Sequence, residues 1–423
     1  MTKRIPALLL AFCLLLSLAA CGSEAAQPSA ETTPEPTPSA PALPAGSYSF
    51  SEAAMGGAFT VEWELELRED GTYTIIEHNP FMGDLSYEGE YTVDADGVVT
   101  TLPFEGEPPM AEFFEADKSC KWTLDGENCK PVNYVESGDA PAEEGGLAGI
   151  KYAANSEAQV LDIHLPEGEG PFPVIVLVHG GGFLFGDQAM PIIQPVIDAG
   201  TAAGWAVVSV DYRKSGEAAF PAALADVKAA VRFVRANAEQ YGFDAERLAI
   251  WGESAGAYLA LMTALTPEVA RELNGDVTEN LECSSAVSAL VDFYGPVEFW
   301  TMDAEYAALG REDTNFATSE SFESKFLGFP VGEDEAATYA SYWGSYTYAL
   351  PAVFALSAWI QVGDADQNVP YTQSVNFAER LGALLGEDRV SFSIIEGAAH
   401  EDAQFYTEEN LAAVLEFLSG AIG

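Results

Sequence analysis

RLAIWGESAGAYLALMTAL, residues 247–265, decides how this 423-residue chain is read. Leu248 to Trp251 form an apolar run of the kind a buried strand needs. Gly252-Glu253-Ser254-Ala255-Gly256 then sets two glycines around one serine. The first lets the chain turn sharply, and the second lets the next helix pack close to the strand. Residues 255–265 follow with helical periodicity. A strand that breaks into a helix at a serine presents that hydroxyl above the edge of a sheet.

Strand-like runs alternate with helical stretches on both sides of this turn. QVLDIHLP (159–166), PVIVLVHG (173–180) and AVVSVDYR (206–213) precede it. AVSALVDFYG (286–295), VFALSAWIQVGD (353–364) and VSFSIIEG (390–397) follow it. Helical spacing fits 189–200, 222–240, 371–385 and 407–419. The alternation predicts an α/β domain over residues 147–423, with a mostly parallel sheet covered by helices on both faces. Reactive residues in such a sheet belong on loops at the carboxyl ends of strands.

A serine hydroxyl is a weak nucleophile near neutral pH and needs a base in hydrogen-bond contact. The chain has four histidines. His78 falls in a separate β-rich region, His164 sits inside a strand, and His179 opens a glycine turn that it is placed to shape. His400, in the loop EGAAHEDAQF after the last strand, is left as the base. A carboxylate must orient its imidazole. The loop GDADQNVP offers Asp364 and Asp366; Asp366 is preferred, with Asp364 shaping the loop. His179-Gly180-Gly181-Gly182-Phe183 follows a strand directly. The N–H groups of Gly181 and Gly182, with that of Ala255, are expected to form an oxyanion hole. The order Ser254, Asp366, His400 is that of α/β-hydrolases. A phosphate loop is excluded, since neither GK[ST] nor GxGxxG occurs here.

Together HGGGF, DYR (211–213), FPAALADVKAAVRFVRANAEQYGFD (220–244), GESAG, SESFESKFLGFPV (319–331), GDADQNVPYTQS and GAAHEDAQF resemble the bacterial α/β-hydrolase esterases near the hormone-sensitive lipase clade. They are most similar to the bifunctional feruloyl and acetyl-xylan esterase group. The resemblance covers about 147–421. It implies an α/β-hydrolase fold and removal of acyl groups from plant polysaccharides. Ser254 matches the nucleophile, Asp366 the acid of a D-x-x-V-P string, and His400 the base of a G-x-x-H-x-x-x-x-F string. The elbow departs from the usual Gly-Gly-His by running Gly256-Ala257-Tyr258. Residues 266–285 and 297–350 are expected to build a cap, with Trp300, Tyr306, Phe316, Phe322, Tyr342 and Trp343 as candidates for its pocket or for its packing.

The N-terminal third reads differently. Lys3 and Arg4 precede the apolar run 5–20, and Leu18-Ala19-Ala20-Cys21 resembles a bacterial lipobox. Residues 1–20 are therefore expected to be a lipoprotein signal, with Cys21 lipidated; an ordinary secretory signal is the alternative. Residues 21–46, rich in Pro, Ser, Thr and Ala, read as an extended spacer. FTVEWELEL (59–67), GTYTII (71–76), LSYEGEYTV (85–93) and GVVTTL (97–102) alternate apolar and polar residues between Gly/Asp turns. They predict a small antiparallel all-β domain at 47–135, a barrel or sandwich loosely similar to lipocalin-like lipoprotein domains. Its aromatics Trp63, Tyr73, Phe81, Tyr87, Tyr91 and Trp122 line either a ligand face or a core. Residues 136–146 form a second linker. In an exported chain Cys120 and Cys129 suit a local disulfide, or two free thiols.

The 66 acidic against 18 basic residues, a formal net charge of −48, argue against a nucleic-acid partner and against docking on anionic lipid. Cys and His do not fall at zinc-site spacings, and the expected chemistry needs no metal or cofactor. The expectation is an extracytoplasmic serine esterase tethered to the membrane through Cys21, acting on small-molecule or polysaccharide esters. A prolyl-oligopeptidase-like peptidase needs a propeller for which residues 47–135 are too few. A binding lipoprotein with a non-catalytic hydrolase fold is the remaining alternative.

Overall fold

Alternation of Val61, Trp63, Leu65 and Leu67 with Glu62, Glu64 and Glu66 sends one set of side chains inward and the other to water. The computed structural model describes residues 44–54, 59–79, 83–94, 97–103, 119–126, 128–132, 147–267, 271–312, 314–349 and 356–422. Cys21, the signal, the first spacer up to residue 43, the second spacer and Phe81 lie outside these residues. Strands β1 (Gly46–Ala54), β2 (Phe59–Leu67), β3 (Thr72–Asn79), β4 (Gly83–Val93), β5 (Val99–Thr101), β6 (Cys120–Asp125) and β7 (Asn128–Pro131) close into a barrel. Neighbours pair antiparallel, except that β1 meets β7 in parallel at Ser49 and Asn128. The closure therefore departs from the all-antiparallel expectation.

Trp63, Tyr73, Tyr91 and Trp122 are fully or almost fully buried among Val61, Leu65, Ile75 and Val99. They fill the barrel as core. Their polar tips are satisfied inside it: Tyr73 donates to the Leu102 carbonyl at 2.9 Å, and Trp122 Nε1 to Thr101 Oγ1 at 3.2 Å. The expected disulfide does not form; Cys120 and Cys129 are buried thiols that are not bonded to each other. Register explains this. Cys129 stands opposite Leu124, four residues along β6 from Cys120. At the strand rise that is about 13 Å, against an upper limit near 7 Å between bridged Cα atoms. Burial pushes the Cys129 thiol up to about 12.

The second sheet has eight strands. In chain order its domain runs β8 (Ile150–Lys151), β9 (Val160–His164), β10 (Phe172–Val178), α1 (Gln194–Ala202), β11 (Ala206–Val210), α2 (Ala222–Ala236), α3 (Ala238–Tyr241), β12 (Phe243–Glu253), α4 (Ala255–Leu265) and β13 (Ala289–Phe293). It continues with α5 (Met302–Ala308), α6 (Phe322–Leu327), α7 (Glu335–Ala340), β14 (Ser357–Gly363), α8 (Thr372–Leu385), β15 (Val390–Ile395) and α9 (Glu408–Ile422). The strand order is β15-β14-β13-β12-β10-β11-β9-β8, parallel from β15 to β11 and antiparallel at the β9 and β8 edge. Alternate residues of β10 serve two cores. Val174, Val176 and Val178 pack with α2, α4 and α8, while Ile175 and Leu177 pack with α1 and α9. Burial on both faces is why these strands read as continuous apolar runs.

Candidate active site

Three loops at the carboxyl end of this sheet carry the residues singled out in the sequence. Ser254 follows β12, Asp366 follows β14 and His400 follows β15. The structure brings their side chains together. His400 Nε2 lies 2.8 Å from Ser254 Oγ, and His400 Nδ1 lies 2.7 Å from Asp366 Oδ2. The other oxygen, Asp366 Oδ1, accepts the N–H groups of Asn368 and Val369 at 2.8 and 2.9 Å. Asp364 stands apart, its Oδ1 accepting the Gly397 N–H. Burial alone lowers the basicity of His400. The charge and hydrogen bond of Asp366, with the charge of Glu401, outweigh it and hold the imidazole above its ordinary value.

Ser254 is held at φ 51°, ψ −121°, a conformation that is costly for a residue with a Cβ. Four of the five non-glycine residues with positive φ among the described residues are Phe183, Ser254, Tyr294 and Glu401, all at this end of the sheet. Such strain collects where geometry serves function. The elbow glycines answer to space. A Cβ on Gly256 would come within 2.2 Å of the Val178 carbonyl oxygen, and one on Gly252 within 2.3 Å of that of Gly256.

The glycine turn at 180–182 lies against the elbow: a Cβ on Gly180 would come within 3.2 Å of Ser254 Cβ. Gly181 and Gly182 have φ of 98° and 57°. Neither they nor Ala255 donate a backbone hydrogen bond among the described residues. His179 braces the turn, with Nδ1 2.7 Å from the Gly180 carbonyl and Nε2 3.3 Å from Asp211 Oδ1. Burial, then the charge of Lys214, keeps this imidazole below its usual value and so neutral. Tyr212 stacks on His179, and its hydroxyl sits 3.0 and 3.1 Å from the carbonyls of His179 and Gly180. Arg213 clamps Asp226 through Nε and Nη2. The DYR string, quoted in the sequence only as a likeness, thus builds the support beneath the turn.

Short helices at 297–349 roof the site. Phe322 covers Gly182, where a Cβ would meet its ring at 2.8 Å, and stands edge-on to Phe185 at 5.6 Å. Tyr306 and Trp343 are buried, Trp343 against Phe377, so they are packing. Trp300 packs on Tyr339 and Tyr342. The unusual Tyr258 ties α4 to the roof, its hydroxyl donating to the Ser341 carbonyl at 2.6 Å. Ser254 is 9% exposed. Among the described residues, no group of three or more His, Cys, Asp or Glu is placed to hold a metal ion.

In the sequence Glu253 stands out only as the residue before Ser254 in the elbow, and Tyr294 and Tyr406 do not stand out at all. Glu253 is buried, with Oε2 accepting the Tyr406 hydroxyl at 2.9 Å. No local pattern marks these residues, since they meet only in three dimensions.

Fold and site together define an α/β-hydrolase. Residues 161–381 match the family model described as BD-FAE, and the chain belongs to that family. The esterase LipQ of Mycobacterium tuberculosis is 29% identical over 257 residues, 59% of this chain and 56% of that protein. The probable carboxylic ester hydrolase LipM of the same organism is 34% identical over 156 residues, 36% of this chain and 34% of that one. The chain thus spans about half, or less, of these relatives' length. A truncated carbohydrate esterase from gut microbiota superposes with a TM-score of 0.56 at 26% identity, covering 65% of this chain and 95% of that one.

Proposed function

We propose that this chain is a serine carboxylesterase that removes short acyl groups, acetyl or feruloyl, from carbohydrates outside the cytoplasm, tethered by a lipidated Cys21. The observation that carries the chemistry is the continuous contact from Asp366 through His400 to Ser254, at 2.7 and 2.8 Å. In the reaction Ser254 Oγ attacks the ester carbonyl while His400 Nε2 takes its proton. The tetrahedral oxyanion rests on the N–H groups of Gly181, Gly182 and Ala255, each worth about 3 kcal/mol of transition-state stabilisation. His400 then protonates the departing alcohol, and water, deprotonated by the same base, hydrolyses the acyl-enzyme. Asp366 keeps Nδ1 protonated throughout, so that Nε2 is free to act.

The carbohydrate assignment is supported by membership of the BD-FAE family and by the likeness to a gut carbohydrate esterase. A chain of net charge −48 suits neutral sugars better than anionic substrates. Initial rates on p-nitrophenyl acetate, a feruloyl ester, acetylated xylan and a long-chain p-nitrophenyl ester, for wild type and Ser254→Ala, test the reading. Activity on the short and feruloyl esters that disappears in Ser254→Ala is expected; turnover of the long chain alone contradicts it. For the tether, Cys21→Ser is expected to release the chain from the membrane fraction, and unchanged membrane retention contradicts the anchor.

A further inference from the structure

We infer that Glu253, Tyr406 and Tyr294 form a hydrogen-bonded chain that positions the His400 ring; this rests on the serine-esterase reading above. Glu253 is the last residue of β12 and the neighbour of Ser254, and it is 2% exposed. A carboxyl so buried is costly unless it has partners. Its Oε2 accepts from Tyr406, and its Oε1 has no hydrogen-bond partner among the described residues. The Tyr406 hydroxyl also meets the Tyr294 hydroxyl. With the Tyr406 proton given to Glu253, Tyr294 is the donor in that contact. Tyr294 then stands edge-on to the His400 imidazole, ring centres 4.8 Å apart and planes at 62°.

The two in-plane bonds of His400, to Asp366 and Ser254, fix the line through its nitrogens. They leave the ring free to tilt about that line. The edge of Tyr294 blocks the tilt, and the hydroxyl contacts back to Glu253 hold Tyr294 in place. Tyr294 is kept at φ 45°, with its N–H on the Gln361 carbonyl at 2.8 Å. An aromatic residue retains such a backbone only where the surroundings enforce it.

The titratable groups facing Glu253 are Tyr406 from the turn before α9, Tyr294 from the end of β13, and the Glu401 carboxylate from the loop after β15. Burial, reinforced by the charge of Glu401 against the bond from Tyr406, pushes Glu253 up to about 8. It is neutral at pH 7 and ionises on the alkaline side, placing a negative charge behind Tyr294 that favours the His400 imidazolium.

The test uses the full chain. Tyr406→Phe keeps the ring and deletes the hydroxyl; Glu253→Gln keeps an acceptor and cannot ionise. Two quantities are followed from pH 5 to 10: kcat and KM on p-nitrophenyl acetate, and the ring-nitrogen NMR titration of His400, assigned with His400→Gln. Tyr406→Phe is expected to lose kcat by about ten- to a hundredfold, as misplaced catalytic groups do, with KM moved by less than about twofold. Glu253→Gln is expected to lower kcat less, and to erase an inflection near the Glu253 value of about 8 that wild type shows in both readouts. An unchanged kcat in Tyr406→Phe overturns the inference, as does a His400 titration in Glu253→Gln that matches wild type. A merely structural role lowers Tm without moving the alkaline limb. If Ser254→Ala proves as active as wild type, the esterase reading fails, while the NMR titration, which needs no substrate, still decides the chain.

Discussion

Asp366→Asn probes the site most sharply, because the surroundings dictate how the new amide sits. Asp366 Oδ1 accepts two backbone N–H groups, from Asn368 and Val369, at 2.8 and 2.9 Å. An asparagine must turn its own oxygen toward these donors, since its NH2 has nothing to offer them. The NH2 then occupies the place of Oδ2, 2.7 Å from His400 Nδ1. Facing a donor, Nδ1 becomes the acceptor and the proton moves to Nε2. That nitrogen, 2.8 Å from Ser254 Oγ, can no longer accept the serine proton. The wrong tautomer costs about 10⁴ in kcat, or about 5.5 kcal/mol of barrier. Steady-state hydrolysis of p-nitrophenyl acetate measures the loss, with Tm reporting that the fold persists. Asp364→Asn is the internal control, as its carboxylate accepts the Gly397 N–H; its rate is expected within about threefold of wild type, the ordinary range of a substitution outside the catalytic groups. A folded Asp366→Asn protein that keeps a tenth of the wild-type rate refutes the orienting role.

Raised basicity at His400 puts the acid limb of kcat/KM above the ordinary imidazole value of 6.5. Activity falls as pH drops through that limb, and in Asp366→Asn, where burial prevails, the limb moves down; a pH-rate profile with a limb below 6.5 in wild type contradicts this. The same shift contributes stability that is fully present below the unfolded value and is lost as pH rises through the raised folded value, visible as a falling urea midpoint that flattens in His400→Gln. Gly256→Ala brings a methyl to 2.2 Å from the Val178 carbonyl oxygen and is expected to cost more than about 3 kcal/mol; an unchanged urea midpoint refutes the tight elbow. In denatured, unreduced protein Cys120 and Cys129 are both expected to alkylate, and a pair that reacts only after reductant contradicts the barrel register.

The elbow at 252–256, the glycine turn at 180–182 and the main strands of the second sheet were legible in the sequence. Each is a local matter: a glycine where a Cβ has no room, an apolar run where both faces are buried. Helix α4 falls at 255–265 as its periodicity indicated, because a strand-turn-helix is specified within a dozen residues. The barrel was legible in part. β2 to β5 alternate cleanly, but β1, GSYSFSEAA, is mostly small and polar and does not stand out as a strand-like run. It is a strand because β2 pairs along its whole length and β7 touches its other edge. Whether Trp63 and Trp122 faced a ligand or a core likewise depended on closure.

Sequence by itself determined the chemistry-bearing residue types, the sheet-and-helix alternation and the sharp turn that lifts Ser254, because these follow from backbone sterics and from hydrophobic period over short windows. Tertiary structure alone decided that Cys120 and Cys129 stand four strand positions apart, and that Glu253 meets Tyr406 across 153 residues of chain. Those outcomes depend on register and on which loops the sheet order stacks side by side. Both are products of packing summed over the whole domain, and no window of neighbouring residues encodes them.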